Sequence, residues 1–233
     1  MRGAASVTSE DASDNGVTGL MSELNGQALA CRRGDRLIFR DLNLAVAAGG
    51  ALLLRGPNGS GKSSLLRCLA GLLPLASGSL SWNGKAITPT DDGYRAGLRY
   101  VGHQDAIKPA LTVAENLRIW ATLYRSNGAA IAAASLDRLG LAGLDDVPAR
   151  LLSAGQRRRL ALARLALAFV PLWLLDEPTT GLDDDGTGRF LDLLGEHRRQ
   201  GGLAILSSHG DPGVSGQELQ MMSFRPAEIG AAA

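Results

Sequence analysis

The octapeptide Gly56-Pro57-Asn58-Gly59-Ser60-Gly61-Lys62-Ser63 follows an apolar run at 51–54 and precedes a segment, 62–72, with Leu65, Leu66 and Leu69 at helical spacing. Glycines at 56, 59 and 61 let successive backbone N–H groups converge into a nest, and the N-terminus of the helix that follows adds about half a positive charge. The pattern is that of a phosphate-binding loop between a strand and a helix. In such a loop Lys62 reaches the β- and γ-phosphates as a point charge, the Ser63 hydroxyl ligates Mg²⁺, and Gly56 to Ser64 form the candidate cradle. A glycine turn capping a helix would use similar residues, but its place between this strand and this helix favours the phosphate-binding reading.

Outward from this loop, short apolar runs alternate with helical patterns, the signature of an α/β sheet. The spacing predicts strands over 28–32, 42–46, 51–54, 79–82, 98–101, 172–175 and 203–206, with a last edge strand over 218–224. Helices are predicted over 62–72, 113–124, 131–139, 154–169 and 184–199. The nearly all-helical stretch 105–170 interrupts the strand series and reads as a helical subdomain inserted into the α/β core. Residues 1–24, rich in Ser, Asp, Gly and Thr, read as a disordered extension with Met21 as a second candidate start; 25–225 read as one domain and 226–233 as a flexible tail.

Composition narrows the classes. The chain has 233 residues, 45% of them hydrophobic and 20% charged, enough for a sizeable core. A net charge of +1 gives no global field toward nucleic acid or an anionic membrane. Cys31 and Cys68 are too few for a disulfide framework and read as reduced thiols, and His103, His197 and His209 are scattered. No uninterrupted run of 18 apolar residues exists, so any meeting with a membrane is expected through a partner.

A second motif completes the chemistry. Leu172-Trp-Leu-Leu-Asp176-Glu177 is an apolar strand ending in two carboxylates. A strand buried on both faces delivers Asp176 at its carboxyl end beside the phosphate loop, where it can hold Mg²⁺ through water. Glu177 is then placed to polarise the water that attacks the γ-phosphate. These two motifs define a P-loop NTPase, and the absence of Asn-Lys-x-Asp argues against a GTPase.

Leu152-Ser153-Ala154-Gly155-Gln156, directly before Arg157-Arg-Arg, resembles the Leu-Ser-Gly-Gly-Gln signature of the ATP-binding cassette family, with Ala154 in place of the first Gly. Ser153 is suited to cap the following helix, and its hydroxyl and the Gly155 amide to face an anion. The resemblance covers residues 27 to about 213. It implies that Ser153, Gly155 and Gln156 serve the nucleotide of a second copy, and that Gln104 joins core to helical subdomain and touches Mg²⁺. It also implies an aspartate at the dimer interface in Thr180-Gly-Leu-Asp183, and a switch histidine, His209, on the γ-phosphate. The implied fold is a P-loop nucleotide-binding domain with an antiparallel β edge and an inserted helical subdomain, binding ATP and Mg²⁺ as a homodimer. Where the family stacks an aromatic on adenine this chain has Arg33, so ATP over GTP is less tightly specified than hydrolysis.

The wording of 102–117, of 55–63 and of the signature run is similar to the ATP-binding subunits of haem exporters in cytochrome c maturation. That likeness implies integral membrane permease subunits as partners, a peripheral place on the cytoplasmic face of the inner membrane, and hydrolysis that drives release of a haem-loaded chaperone. No Cys-x-x-Cys-His occurs, so no direct haem contact is expected, and His103 is expected on the nucleotide side. The membrane partner is expected at 105–110, where Lys108-Pro109 is exposed and stiff, while Val113, Leu117, Trp120 and Tyr124 form a face better suited to subdomain core. A cassette ATPase for a drug or lipid remains the alternative; coiled coils, zinc modules and a second phosphate loop, which other cassette ATPases need, are absent.

Overall fold

Side chains alternate across a β-strand, so an apolar run with no polar interruption must be covered on both sides. The computed structural model, which describes residues 22–124, 129–208, 210 and 212–222, bears this out. Strands β3 (Ala51–Arg55), β6 (Leu98–Val101), β7 (Leu172–Asp176), β8 (Leu203–Ser207) and β9 (Gln217–Gln220) form an all-parallel sheet in the order β6-β7-β8-β3-β9. Leu53, Val101, Trp173, Leu175 and Leu206 point into one core cluster; Leu52, Leu54, Leu172, Leu174 and Ile205 point into the other. Each fully buried leucine contributes about 1.5–3 kcal/mol relative to exposure.

Helices cover both faces. On one lie α3 (Val113–Leu123), α4 (Ala129–Arg138), α5 (Ala154–Ala163) and α6 (Asp184–Arg199). On the other lie α1 (Lys62–Leu69), the short α2 (Asp92–Ala96) and a second, antiparallel sheet. That sheet runs β2-β1-β4-β5, from β1 (Glu23–Arg33), β2 (Arg36–Ala47), β4 (Ser77–Trp82) and β5 (Lys85–Ile87). An antiparallel edge on a parallel core is the predicted class. Among the described residues no strand lies between β6 and β7, where the helical insertion was predicted.

Several boundaries differ from expectation for physical reasons. β1 begins at Glu23, so residues 23 and 24, expected in the extension, are part of the sheet, with Leu24 fully buried and Glu23 exposed. β5 was not anticipated, although Asn83-Gly84, both with positive φ, is the two-residue turn that hairpins favour. α1 stops at Leu69, three residues early, where Gly71 turns the chain left-handed. The helix predicted to 169 ends at Ala163 and tightens into a 3₁₀ turn, Arg164–Ala166. The last strand covers Gln217–Gln220 at the sheet edge; residues 223–225 and the tail 226–233 lie outside the described residues, as do 1–21.

Because all five central strands are parallel, their carboxyl ends share one edge. Register places Leu54 opposite Ser207, and Ser207 opposite Asp176. The phosphate loop and the two carboxylates therefore emerge level, separated by the width of β8. Val113 and Leu117 are fully buried and Trp120 and Tyr124 pack against the same cluster, so that face of α3 is subdomain core.

Candidate active site

The phosphate loop leaves β3 at Gly56, whose φ of 139° and crowding exclude any side chain: an added Cβ would lie 2.2 Å from the Met221 carbonyl oxygen. Gly61 caps α1 in the left-handed region with φ 99°. Lys62 is buried and its Nζ donates to the carbonyls of Gly56 (2.7 Å) and Pro57 (3.1 Å), so the ammonium is held inside the ring of the loop. Asn58, Gly59, Ser60, Gly61, Lys62, Ser63 and Ser64 line one cleft of about 510 Å³, together with His103 and Glu177. Arg33 lines it from the end of β1, joined by Arg36 and Ile38 from the start of β2. His103 thus lies on the expected side.

The Ser63 hydroxyl donates to Asp176 Oδ1 at 2.9 Å, and the Ser207 hydroxyl donates to the same oxygen at 2.6 Å. The Glu177 backbone N–H donates in turn to Ser207 Oγ at 2.9 Å. Asp176 is 3% exposed, and among the described residues no cation lies within ion-pair distance of it. A buried carboxylate beside a hydroxyl, both hard oxygen donors, fits Mg²⁺. Neither side chain of this pair is otherwise committed to a cationic group.

Glu177 has φ 51°, left-handed for a residue with a side chain, a conformation that costs roughly 1–2 kcal/mol. Its Oε2 accepts from the Thr180 hydroxyl at 3.4 Å and lies 3.8 Å from His103 Nδ1. Gln104 is exposed and lines an adjoining cavity of about 710 Å³, which it shares with Ser63, Asp176 and Glu177 but not with the rest of the loop. His209 lies outside the described residues.

The signature residues sit elsewhere. Ser153 caps α5, its Oγ accepting from the Gln156 N–H at 3.1 Å while Gln156 Oε1 accepts from the Ser153 N–H at 2.9 Å. A Cβ on Gly155 would approach the Gly181 carbonyl at 3.1 Å, so the signature packs beside the 180–183 loop. Asp183 caps α6 by accepting from the Gly186 N–H at 2.9 Å. Ser153, Gly155 and Gln156 do not line the cleft that holds Lys62. The motifs therefore fall into two groups: those at the sheet edge meet, and the signature does not join them within one chain.

Sequence reasoning passed over Ser207, Arg36 and Arg158. Ser207 acquires its role only through β7–β8 register, which no local pattern encodes. Arg158, in the middle of three arginines, is 5% exposed, and helical period offered a signal: Ala161 and Leu162, three and four residues on, are buried as well.

Comparison with known proteins fits this geometry. The sequence profile of the ABC transporter family matches residues 39–180. A cytochrome c biogenesis ATP-binding export protein CcmA from Paramagnetospirillum magneticum is 52% identical over 89% of this chain and 97% of its own length. Its namesake from Rhodospirillum rubrum is 50% identical over 80% and 79%. Among solved structures, a putative ABC transporter ATP-binding protein from Pyrococcus furiosus superimposes with a TM-score of 0.75 at 22% identity, covering 85% of this chain and 97% of that one, a likeness of fold.

Proposed function

The chain belongs to the ABC transporter family, and from that premise we propose that it is the ATP-hydrolysing subunit of an exporter complex serving haem handling in cytochrome c biogenesis. The observation that carries the hydrolytic reading is the convergence of the Ser63 and Ser207 hydroxyls on Asp176, next to Glu177, at the mouth of the phosphate loop. Gly56 to Ser64 bind the phosphates through backbone N–H groups, Lys62 and the α1 N-terminus. Ser63, Asp176 and Gln104 would hold Mg²⁺, which would supply positive charge to offset that of the phosphates. Glu177 accepts a proton from the attacking water, and Gln104 and His209 orient the γ-phosphate end. Arg33 stacks on the base.

Ser153, Gly155 and Gln156 of a second copy close over the nucleotide, because in one chain they lie away from it. Membrane permease subunits dock on 105–110. There Lys108, Pro109 and Ala110 are exposed, while the buried Asn116 fixes the segment from behind: its Oδ1 accepts from the Lys108 N–H at 2.7 Å and its Nδ2 donates to the Lys108 carbonyl at 3.0 Å. No helix among the described residues is long and apolar enough to cross a membrane; the working position is peripheral, on the cytoplasmic face of the inner membrane. The assignment to cytochrome c biogenesis is supported by the relatives' shared name at 50–52% identity, and haem follows as the group attached in that process. Hydrolysis in this reading drives release of a haem-loaded chaperone.

A strain carrying only Lys62→Ala or Glu177→Gln is expected to make apocytochromes c without attached haem while b-type cytochromes stay normal, read by haem staining of a denaturing gel. Normal c-type bands would overturn the haem assignment in favour of another exported compound, such as a drug or lipid, and leave the ATPase reading standing.

A further inference from the structure

One guanidinium gathers the acidic edge of the sheet from beneath. Arg158 Nη2 donates to the carbonyls of Asp176 (2.9 Å) and Glu177 (2.8 Å), and Nε donates to that of Pro178 (3.2 Å). Nη1 donates to the Gly102 carbonyl and to Asp105 Oδ1, each at 3.0 Å. Five bonds thus reach five acceptors, in the segment that carries Glu177 and in the segment that carries Gln104, from a helix that opens with the signature. Glu177 adopts a left-handed backbone that a non-glycine residue does not hold unaided, and the two Nη2 bonds flank its φ,ψ pair. Gln104 lies between Gly102 and Asp105, the two groups that Nη1 holds.

We infer that Arg158 is a positioning residue for hydrolysis: it sets the Glu177 carboxylate against the γ-phosphate and locks it to the Gln104 loop. The inference rests on Glu177 being the base, as read above. A planar fork is required, since lysine offers three donors from one point and cannot span carbonyls on two segments.

The full chain is assayed as wild type, Arg158→Lys, Glu177→Gln and the double variant. Arg158→Lys is expected to lower kcat about 10- to 100-fold while KM for ATP and the Kd of a fluorescent ATP analogue stay within about twofold. In the Glu177→Gln background the same change is expected to alter residual turnover less than about twofold, because the group it positions is already gone. Equal losses in both backgrounds, a joint collapse of binding and turnover, or wild-type kcat in Arg158→Lys would each overturn the inference. Near-normal turnover in Glu177→Gln would instead sink the base assignment and the inference with it, a result distinct from the others. Should Arg158→Lys fail to fold, Asp105→Asn, which weakens one of the five acceptors, is expected to lower kcat roughly 3- to 10-fold at unchanged KM; wild-type kcat there would overturn the inference too.

Discussion

The carboxyl edge of the parallel sheet and the start of α5 both carry residues suited to a nucleotide, yet they are built in opposite ways. At the sheet edge, Ser63 at the start of α1, Asp176 and Glu177 at the end of β7 and Ser207 at the end of β8 are interlinked by hydrogen bonds, with Asp176 and Ser207 buried. At the start of α5, Ser153 is exposed, its hydroxyl and N–H are engaged in the capping box with Gln156, and its carbonyl accepts from the Arg157 N–H. One region is a finished half-site, preorganised at the cost of a strained Glu177. The other is a surface motif that, in the proposed function, meets the nucleotide of a second copy. Catalysis by electrostatic preorganisation needs the first kind, and control by assembly needs the second.

The largest expected effect falls on the finished half. Lys62→Ala removes the one ammonium inside the loop and should lower turnover by roughly 10²–10³-fold, about 3–4 kcal/mol, in a steady-state phosphate-release assay. Near-normal turnover would dissolve the distinction between the two regions. Glu177→Gln should bind ATP but cleave it only at a residual rate and accumulate as a closed dimer in size-exclusion chromatography with millimolar ATP; a chain that stays monomeric would argue that α5 meets no partner.

A group remote from both regions calibrates stability. His197 is buried, stacked on Trp173 at 3.8 Å with Nε2 on the Val170 carbonyl, and burial lowers its pKa to about 4. The folded value lies below the unfolded one of about 6.5, so the unfolded chain binds the proton first and stability falls as pH drops from about 6.5 toward 4. The expected loss between pH 7 and pH 5 is about 2 kcal/mol, measurable by urea denaturation and reduced in His197→Gln. A pH-independent midpoint over that range would contradict the buried neutral imidazole. The smallest effect belongs to the surface motif: Ser153→Ala should cost about 1 kcal/mol of stability through the lost cap. Its loss of turnover should exceed that in proportion if, as proposed, the hydroxyl also serves the second copy.

These contrasts bear on what the sequence could disclose. The phosphate loop, the Asp176-Glu177 pair and the signature were legible because each is a contiguous run whose chemistry depends on local backbone shape. The parallel core was legible in its unbroken apolar runs, and the antiparallel edge followed from the resemblance. Ser207 was not, because its role is a matter of register between strands separated by α6. Arg158 was hidden among like neighbours, of which only the middle one is buried. Leu24 was lost to a polar surrounding that masked the start of β1. Contacts made by topology stay dark where those made by local geometry are plain.

The claim that the two regions complete each other between chains, never within one, can be tested by mixing two inactive variants. Lys62→Ala chains keep an intact signature, and Ser153→Arg chains keep an intact phosphate loop. A mixed dimer then contains one fully wild-type site, formed by the loop of one chain and the signature of the other. With equal amounts and random pairing, turnover is expected to return to roughly a quarter of the wild-type rate. Absence of any recovery on mixing, with both variants folded and able to dimerise, would contradict the account.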